Sequence, residues 1–294
     1  MAPDDSALGP LASVDGPGLL PQYRYDALIR TAFQPAYWES ALVVDGDLRV
    51  VPGATSPRGA NEFTQMEANF ALFWSLAIHA YESTLVSGDS RLDRFLDGEV
   101  SALTAIEQDG LRTFQGGAQC TECHQGPELT GAGITSAAGA FKSPGLRNVE
   151  YTGPYFHTGG ASSLAQVVDF YARRGDFPDG PLDTEMARIR INPQDREALI
   201  AFLRSLTDDR VRFERAPFDH PSLCVPVGHV KSAPGVPALD VLADSRVSAL
   251  DRWALVPQTG RNGNPAPLQT FDELLAGTGR DGSRAHALEQ SCVP

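Results

Sequence analysis

No stretch of about 18 consecutive apolar residues occurs in the 294-residue chain, so the sequence offers no spanning helix. The N-terminus, Met1-Ala2-Pro3-Asp4-Asp5, has neither the basic region nor the apolar core of a secretory signal. Either the chain is cytoplasmic, or an export signal has been lost or removed. Basic residues are in deficit, 24 against 37 acidic, for a net charge of −13. That balance argues against binding through phosphate neutralisation or to an anionic membrane surface. It excludes nucleic acid and membrane insertion as expected partners and favours a positively charged one. Internal repeats are absent. Methionine is scarce: Met1, Met66 and Met186. What is abundant is glycine, 28 residues, and proline, 22. These argue against a simple helix bundle and for a loop-rich chain with short helices. Hydrophobic residues, at 42%, suffice for a core. The length fits two ordinary domains or one large one.

Cysteine is sparse, and its placement is informative. Cys120-Thr121-Glu122-Cys123-His124 is a C-x-x-C-H motif, the attachment signature of c-type haem. Each thiol adds to one vinyl group, and the adjacent His then lies under the iron. A thioredoxin-like pair wants a βαβ context, and none surrounds the motif. A zinc site wants a second Cys/His pair at short spacing, which is also missing. Haem attachment takes place outside the bacterial cytoplasm, so the chain is expected to be periplasmic or extracellular. Disulfides persist there too. Cys224 and Cys292 are accordingly either a bridge stapling the tail or two free thiols.

Patterning along the chain predicts a mainly α fold. Residues 1–20 read as an irregular arm and Gln22–Phe33 as a helix. Ala41–Val44 and Leu48–Val51 read as a short β-hairpin around Asp45-Gly46. Asn61 to Val86 is the longest helical pattern, with Phe63, Met66, Phe70, Phe73, Trp74, Ala77, Ile78, Tyr81 and Leu85 on a broad apolar face. A helix from Glu99 to Phe114 turns Leu103, Ile106, Leu111 and Phe114 inward and leads into the C-x-x-C-H. Another runs from Ser162 as N-cap to Arg174, with Gly175 as C-cap. The last starts at Asn192 with Pro193 in its first turn, and carries Leu199, Ile200, Phe202, Leu203 and Leu206 as its stripe. Residues 125–160 are mostly loop. The expected divisions are 1–98, a helical and hairpin segment; 99–208, a cytochrome c-like haem domain with long loops; and 209–294, an irregular Pro-rich tail with a short helix near Phe271–Ala276.

Residues 99–207 resemble the C-terminal haem domain of the bacterial di-haem cytochrome c peroxidase and MauG superfamily. Five blocks carry the resemblance, in order. They are Glu107–Phe114 leading into Cys120–Leu129, then Phe141–Val149, then Tyr151–Gly159, then Ser163-Leu164 through Phe170-Tyr171, and finally Asp195–Thr207. Phe63–Phe70 is similar to the segment between the two haem domains in some members. The family carries two haems, whereas this chain has one C-x-x-C-H, matching the second, electron-relay haem. The resemblance implies haem electron transfer as the relay half of a peroxidase-type or MauG-like oxidoreductase. Its partners would be the missing first haem domain and a redox protein or other electron donor. The alternative is a stand-alone monohaem electron carrier without enzymatic activity.

The resemblance also implies site residues. Cys120 and Cys123 hold the one haem, with His124 as proximal ligand. The distal position is occupied by Met in the family's peroxidases and by Tyr in MauG-like members, and Tyr171 falls there; Met186 is the rival. Lys142 and Arg147 are candidates for the haem propionates, since Arg forks suit carboxylates. The neighbourhood of Pro144 is expected to supply a carbonyl to the other nitrogen of His124. Thr152 and Pro154 match positions whose carbonyls hold calcium in the family, so calcium is a possible second cofactor. His157 reads either as an inter-haem residue or as a structural histidine. His79 reads as an ordinary helix histidine and Trp74 as a core residue rather than a relay. No catalytic residue is identified.

Overall fold

The computed structural model describes residues 2–13, 18–131, 142–177, 184–229 and 251–276. The chain divides into two compact units, 1–86 and 87–294. In the first, helix α1 spans Tyr25–Ala32 and buries only Ile29. Phe33, just beyond it, meets Phe73 with ring centroids 4.7 Å apart. The Asp45-Gly46 turn forms: the Asp45 carboxylate accepts the N–H groups of Asp47 and Arg49, each at 2.9 Å. The returning segment is not the strand partner, however. Strand β1, Val43–Asp45, pairs antiparallel with β2, Glu62–Thr64. Val50 keeps an isolated bridge to Val44. Leu48 adopts φ 61° immediately after the turn, which interrupts the extended backbone that a second strand would need there.

The single helix expected over Asn61–Val86 is three elements: β2, then α2, Gln65–Ala68, then α3, Phe70–Glu82. Thr64 causes the first break. Its hydroxyl accepts the Glu67 N–H, while the Glu67 carboxylate accepts the Thr64 N–H at 2.8 Å. This reciprocal cap fixes a helix start. Asn69 separates α2 from α3. Burial differs from expectation as well. From Phe70 to Tyr81 the only side chain that titrates near neutral pH is His79, and a helix apolar on every side has no preferred inward face. Only Phe73 is buried; Phe70, Leu72, Trp74, Leu76, Ile78 and Tyr81 are exposed. Trp74 therefore lies at the surface and not in a core, its ring 6.1 Å from that of Tyr25. His79 is exposed on the same helix.

The second unit begins before residue 99. Helix α4, Arg91–Leu96, is capped by Ser90 and contributes Leu92 to the core of this unit. Helix α5, Ala105–Gln115, follows. Its first-turn Glu107 caps Thr104 at 2.9 Å and takes the Arg91 guanidinium at 2.5 Å while almost wholly buried. With that slot filled by a carboxylate, Ile106 faces solvent, against expectation, while Leu103 and Phe114 point inward. Helices α6, Leu164–Ala172, α7, Thr184–Arg188, and α8, Pro193–Ser205, complete the domain. Asn192 caps α8 as expected, accepting the N–H groups of Gln194 and Asp195. The cap of α6 is Ser163, one residue later than expected. At its other end a non-glycine residue, Arg174, takes φ 64°, next to Gly175 at φ 94°.

The core lies where α5 crosses α8. Leu199, Ile200, Phe202, Leu203 and Leu206 are all buried there, and Phe114 meets Phe202 with centroids 5.2 Å apart. The described tail is more ordered than its composition suggests. It carries α9, Asp209–Arg212, a hairpin of β3, Leu223–His229, with β4, Asp251–Val256, and α10, Phe271–Ala276. Cys224 is disulfide-bonded, whereas Cys120 and Cys123 are in no disulfide; Cys292 lies outside the described residues. Among the described residues no helix is long and apolar enough to cross a membrane.

Candidate functional site

Helix α5 ends against the buried Ala118. Gln119 then takes φ 51°, and a one-turn 3-10 helix, Cys120–Glu122, follows. The His124 N–H closes onto the Cys120 carbonyl at 2.8 Å. Cys120 is half-buried against the core and Cys123 is exposed. Burial, with Cys123 alongside, pushes the Cys120 thiol up to about 12.

His124 is half-buried, and burial lowers its pKa against the opposing pull of backbone carbonyls. Its Nδ1 lies 3.0 Å from the Leu129 carbonyl. With Nδ1 donating, Nε2 keeps the lone pair, the form that a metal-ligating imidazole needs. The expected acceptor was near Pro144. The structure gives this bond to Leu129, with the Pro144 carbonyl acting in the same sense. Leu129 carries no side-chain chemistry and was missed. The available signal was Gly126-Pro127, a turn close behind the motif that can aim a carbonyl back at His124.

Tyr171 sits on α6, which Arg196 of α8 pins by a two-point contact with Asp169 at 2.6 and 3.0 Å. Burial raises the Tyr171 pKa, and the nearby Cys120 and Cys123 raise it further. Tyr171 is thus within electrostatic reach of the cysteine pair. The rings of Phe170 and Phe156 flank it, at 5.5 and 6.4 Å between centroids. Among the described residues the Tyr171 hydroxyl has no hydrogen-bond partner. Met186 lies on α7 and is half-buried.

The two propionate candidates fare differently. Lys142 is exposed and makes no ion pair among the described residues; Phe141 beside it lies outside them. Arg147 is already committed. It grips Asp93 with two bonds of 2.8 and 2.9 Å and reaches the Ser87 and Pro127 carbonyls, both at 2.8 Å. A fork so engaged clamps its loop to a carboxylate on α4.

The same contact has a pH signature. Burial raises the Asp93 pKa, but the bonds from Arg147 and Ser90 together outweigh it and pull the group down to about 2. A carboxyl whose folded pKa is depressed contributes stability above its unfolded value and loses it as pH falls through the folded one. The urea midpoint should therefore fall as pH drops from about 4 toward 2. In Asp93→Asn that part of the profile should be flatter, from a lower starting stability at neutral pH. An Asn variant with the wild-type acid limb would contradict this.

Thr152 and Pro154 flank Gly153, which Phe271 of α10 covers so closely that a Cβ there would come within 2.6 Å of the Phe271 Cβ. Neither the Thr152 nor the Pro154 carbonyl accepts a backbone hydrogen bond among the described residues. No group of three or more His, Cys, Asp or Glu gathers among those residues. Any cation here would rest on carbonyl oxygens. His157 is exposed.

The residues present fit a covalent haem. Two cysteines outside any disulfide stand at the attachment spacing, the His124 Nδ1 is engaged by a carbonyl, and a half-buried phenol lies within electrostatic reach of both cysteines.

Residues 108–207 match the family described as Cytochrome c. The chain is 32% identical over 166 residues to the cytochrome c551 peroxidase of Nitrosomonas europaea, covering 47% of this chain and 45% of that protein. It is 32% identical over 180 residues to the methylamine utilization protein MauG of Methylorubrum extorquens, covering 54% and 50%. Against the cytochrome c551 peroxidase of Pseudomonas aeruginosa it is 32% identical over 167 residues, covering 48% and 45%. The chain spans about half the length of these relatives.

Proposed function

We propose that this chain is a haem c electron-transfer member of the di-haem cytochrome c peroxidase and MauG superfamily, acting as the relay-haem half of such an oxidoreductase. The observation that carries the reading is the single C-x-x-C-H turn with His124 Nδ1 tied to Leu129 and Tyr171 close to both cysteines. Haem c, when bound, supplies a one-electron couple. Cys120 and Cys123 would hold it through thioethers. His124 would offer Nε2 to the iron, and Tyr171 would offer its phenol oxygen. The rings of Phe156 and Phe170 pack beside the phenol.

Peroxide chemistry belongs to a separate first haem domain, and a positively charged redox protein serves as the electron donor. Residence outside the cytoplasm follows from the chemistry of haem attachment. The Thr152 and Pro154 carbonyls are the proposed calcium ligands, on the strength of their free acceptor capacity.

Protein matured outside the cytoplasm tests this reading. Acid–acetone extraction should leave one haem per chain on the polypeptide, and steady-state peroxide turnover by the chain alone should be weak or absent. Freely extracted haem would overturn the covalent site. Robust turnover would overturn the assignment as a relay half.

A further inference from the structure

We infer that Arg147 is a positioning residue for the proximal side of the haem site: it holds the loop whose Leu129 carbonyl fixes His124. The inference rests on the reading of His124 as the iron ligand. Leu129 adopts φ 49°, an uncommon conformation for a bulky side chain, and one that persists only where the surroundings over-determine it. The surroundings here do so. The Leu129 N–H bonds the Gly126 carbonyl at 3.1 Å, and the Thr130 N–H bonds the Gln125 carbonyl at 2.9 Å. The Thr130 hydroxyl reaches the Ser143 carbonyl at 2.5 Å. A Cβ on Gly131 would come within 2.7 Å of the Cys123 carbonyl, so the loop lies directly on the attachment turn.

One side chain ties this loop to a helix. The Arg147 Nε donates to the Pro127 carbonyl, two residues before Leu129, at 2.8 Å. Its other nitrogens grip Asp93 and the Ser87 carbonyl. Asp93 is itself held, accepting the Ser90 hydroxyl at 2.7 Å and the Ser90 N–H at 2.9 Å in the cap of α4. The path runs from α4 through Asp93 and Arg147 to Pro127, then two residues on to Leu129 and His124. A planar guanidinium with fixed donors can serve the carboxylate and the carbonyl together; an ammonium cannot reproduce that fork. The acceptor on Nδ1 sets the orientation and basicity of a ligating imidazole, so the clamp reaches the iron without touching it. A stronger Nδ1 bond gives the imidazole more anionic character and favours ferric iron, which places the haem potential under the control of Arg147.

The test uses the haem-loaded chain. In the wild type, the His124 Nδ1–H should appear as a paramagnetically shifted, slowly exchanging proton resonance. In Arg147→Lys its exchange with solvent should quicken at least tenfold, and the reduction potential should rise, with covalent haem content unchanged. Asp93→Asn, which leaves Arg147 in place but loosens its anchor, should move both readouts in the same direction by less, and serves if the lysine variant does not fold. A wild type without the shifted Nδ1–H would overturn the ligand reading and this inference with it. A wild type that shows it, beside folded variants with unchanged exchange and potential, would overturn the inference alone.

Discussion

Gly110→Ala should destabilise the protein by about 3 kcal/mol, at the upper end of ordinary overpacking costs. At an exposed helix position the same change would stabilise by about 1 kcal/mol, because alanine is the better helix former. Gly110 lies in the middle of α5, at its crossing with α8. A Cβ there would collide with the Ala198 carbonyl and come within 2.6 Å of the Phe202 Cβ. Neither neighbour can yield cheaply: Ala198 and Phe202 are buried, and the carbonyl belongs to the backbone of α8. The helices must separate, and the contact between Phe114 and Phe202 opens with them. Since α5 runs into the attachment turn, its displacement should also lower the yield of haem-loaded protein. Urea unfolding is the direct measurement; an unchanged or raised midpoint would mean that the helices do not cross this closely.

Replacing Tyr171 by Phe should change the ferric spectrum and raise the reduction potential, while Met186→Leu should leave both unaltered. An anionic oxygen ligand stabilises ferric iron more than ferrous, and axial ligand identity is a main control on haem potential. The substitution removes only the hydroxyl. The ring keeps its place beside Phe156 and Phe170, on a helix pinned by the Arg196–Asp169 contact. A change would therefore report a lost ligand and not a collapsed site. If Tyr171→Phe keeps the wild-type spectrum and Met186→Leu alters it, Met186 is the distal ligand.

The features that local chemistry decides were legible in the sequence. Asn192-Pro193 announces α8 because cap and first turn are neighbours, and Cys120–His124 announces its cofactor because attachment needs that spacing. Tyr171 came from the resemblance alone. What stayed hidden depends on distant parts of the chain or on backbone signs. Val43 pairs with Thr64, beyond any hairpin signal. The Thr64–Glu67 cap was present in the sequence, but the apolar run around it reads as one continuous helix. Nothing local reveals that Arg147 is gripped by Asp93, 54 positions earlier. Leu129 at φ 49° is invisible to composition.

The Asp93–Arg147 clamp also has a consequence in time. It closes a loop of chain, and the Cys120–His124 turn lies inside that loop. During synthesis the cysteines emerge before Arg147 does. A maturation enzyme can meet an open attachment turn while the clamp does not yet exist. Closing so long a loop carries an entropic cost that grows only slowly with its length, and a thioether-anchored haem would already have drawn the middle of the loop together. Attachment first and clamping second is thus the order that the arrangement of the chain favours, and the clamp then acts as the latch on a finished site.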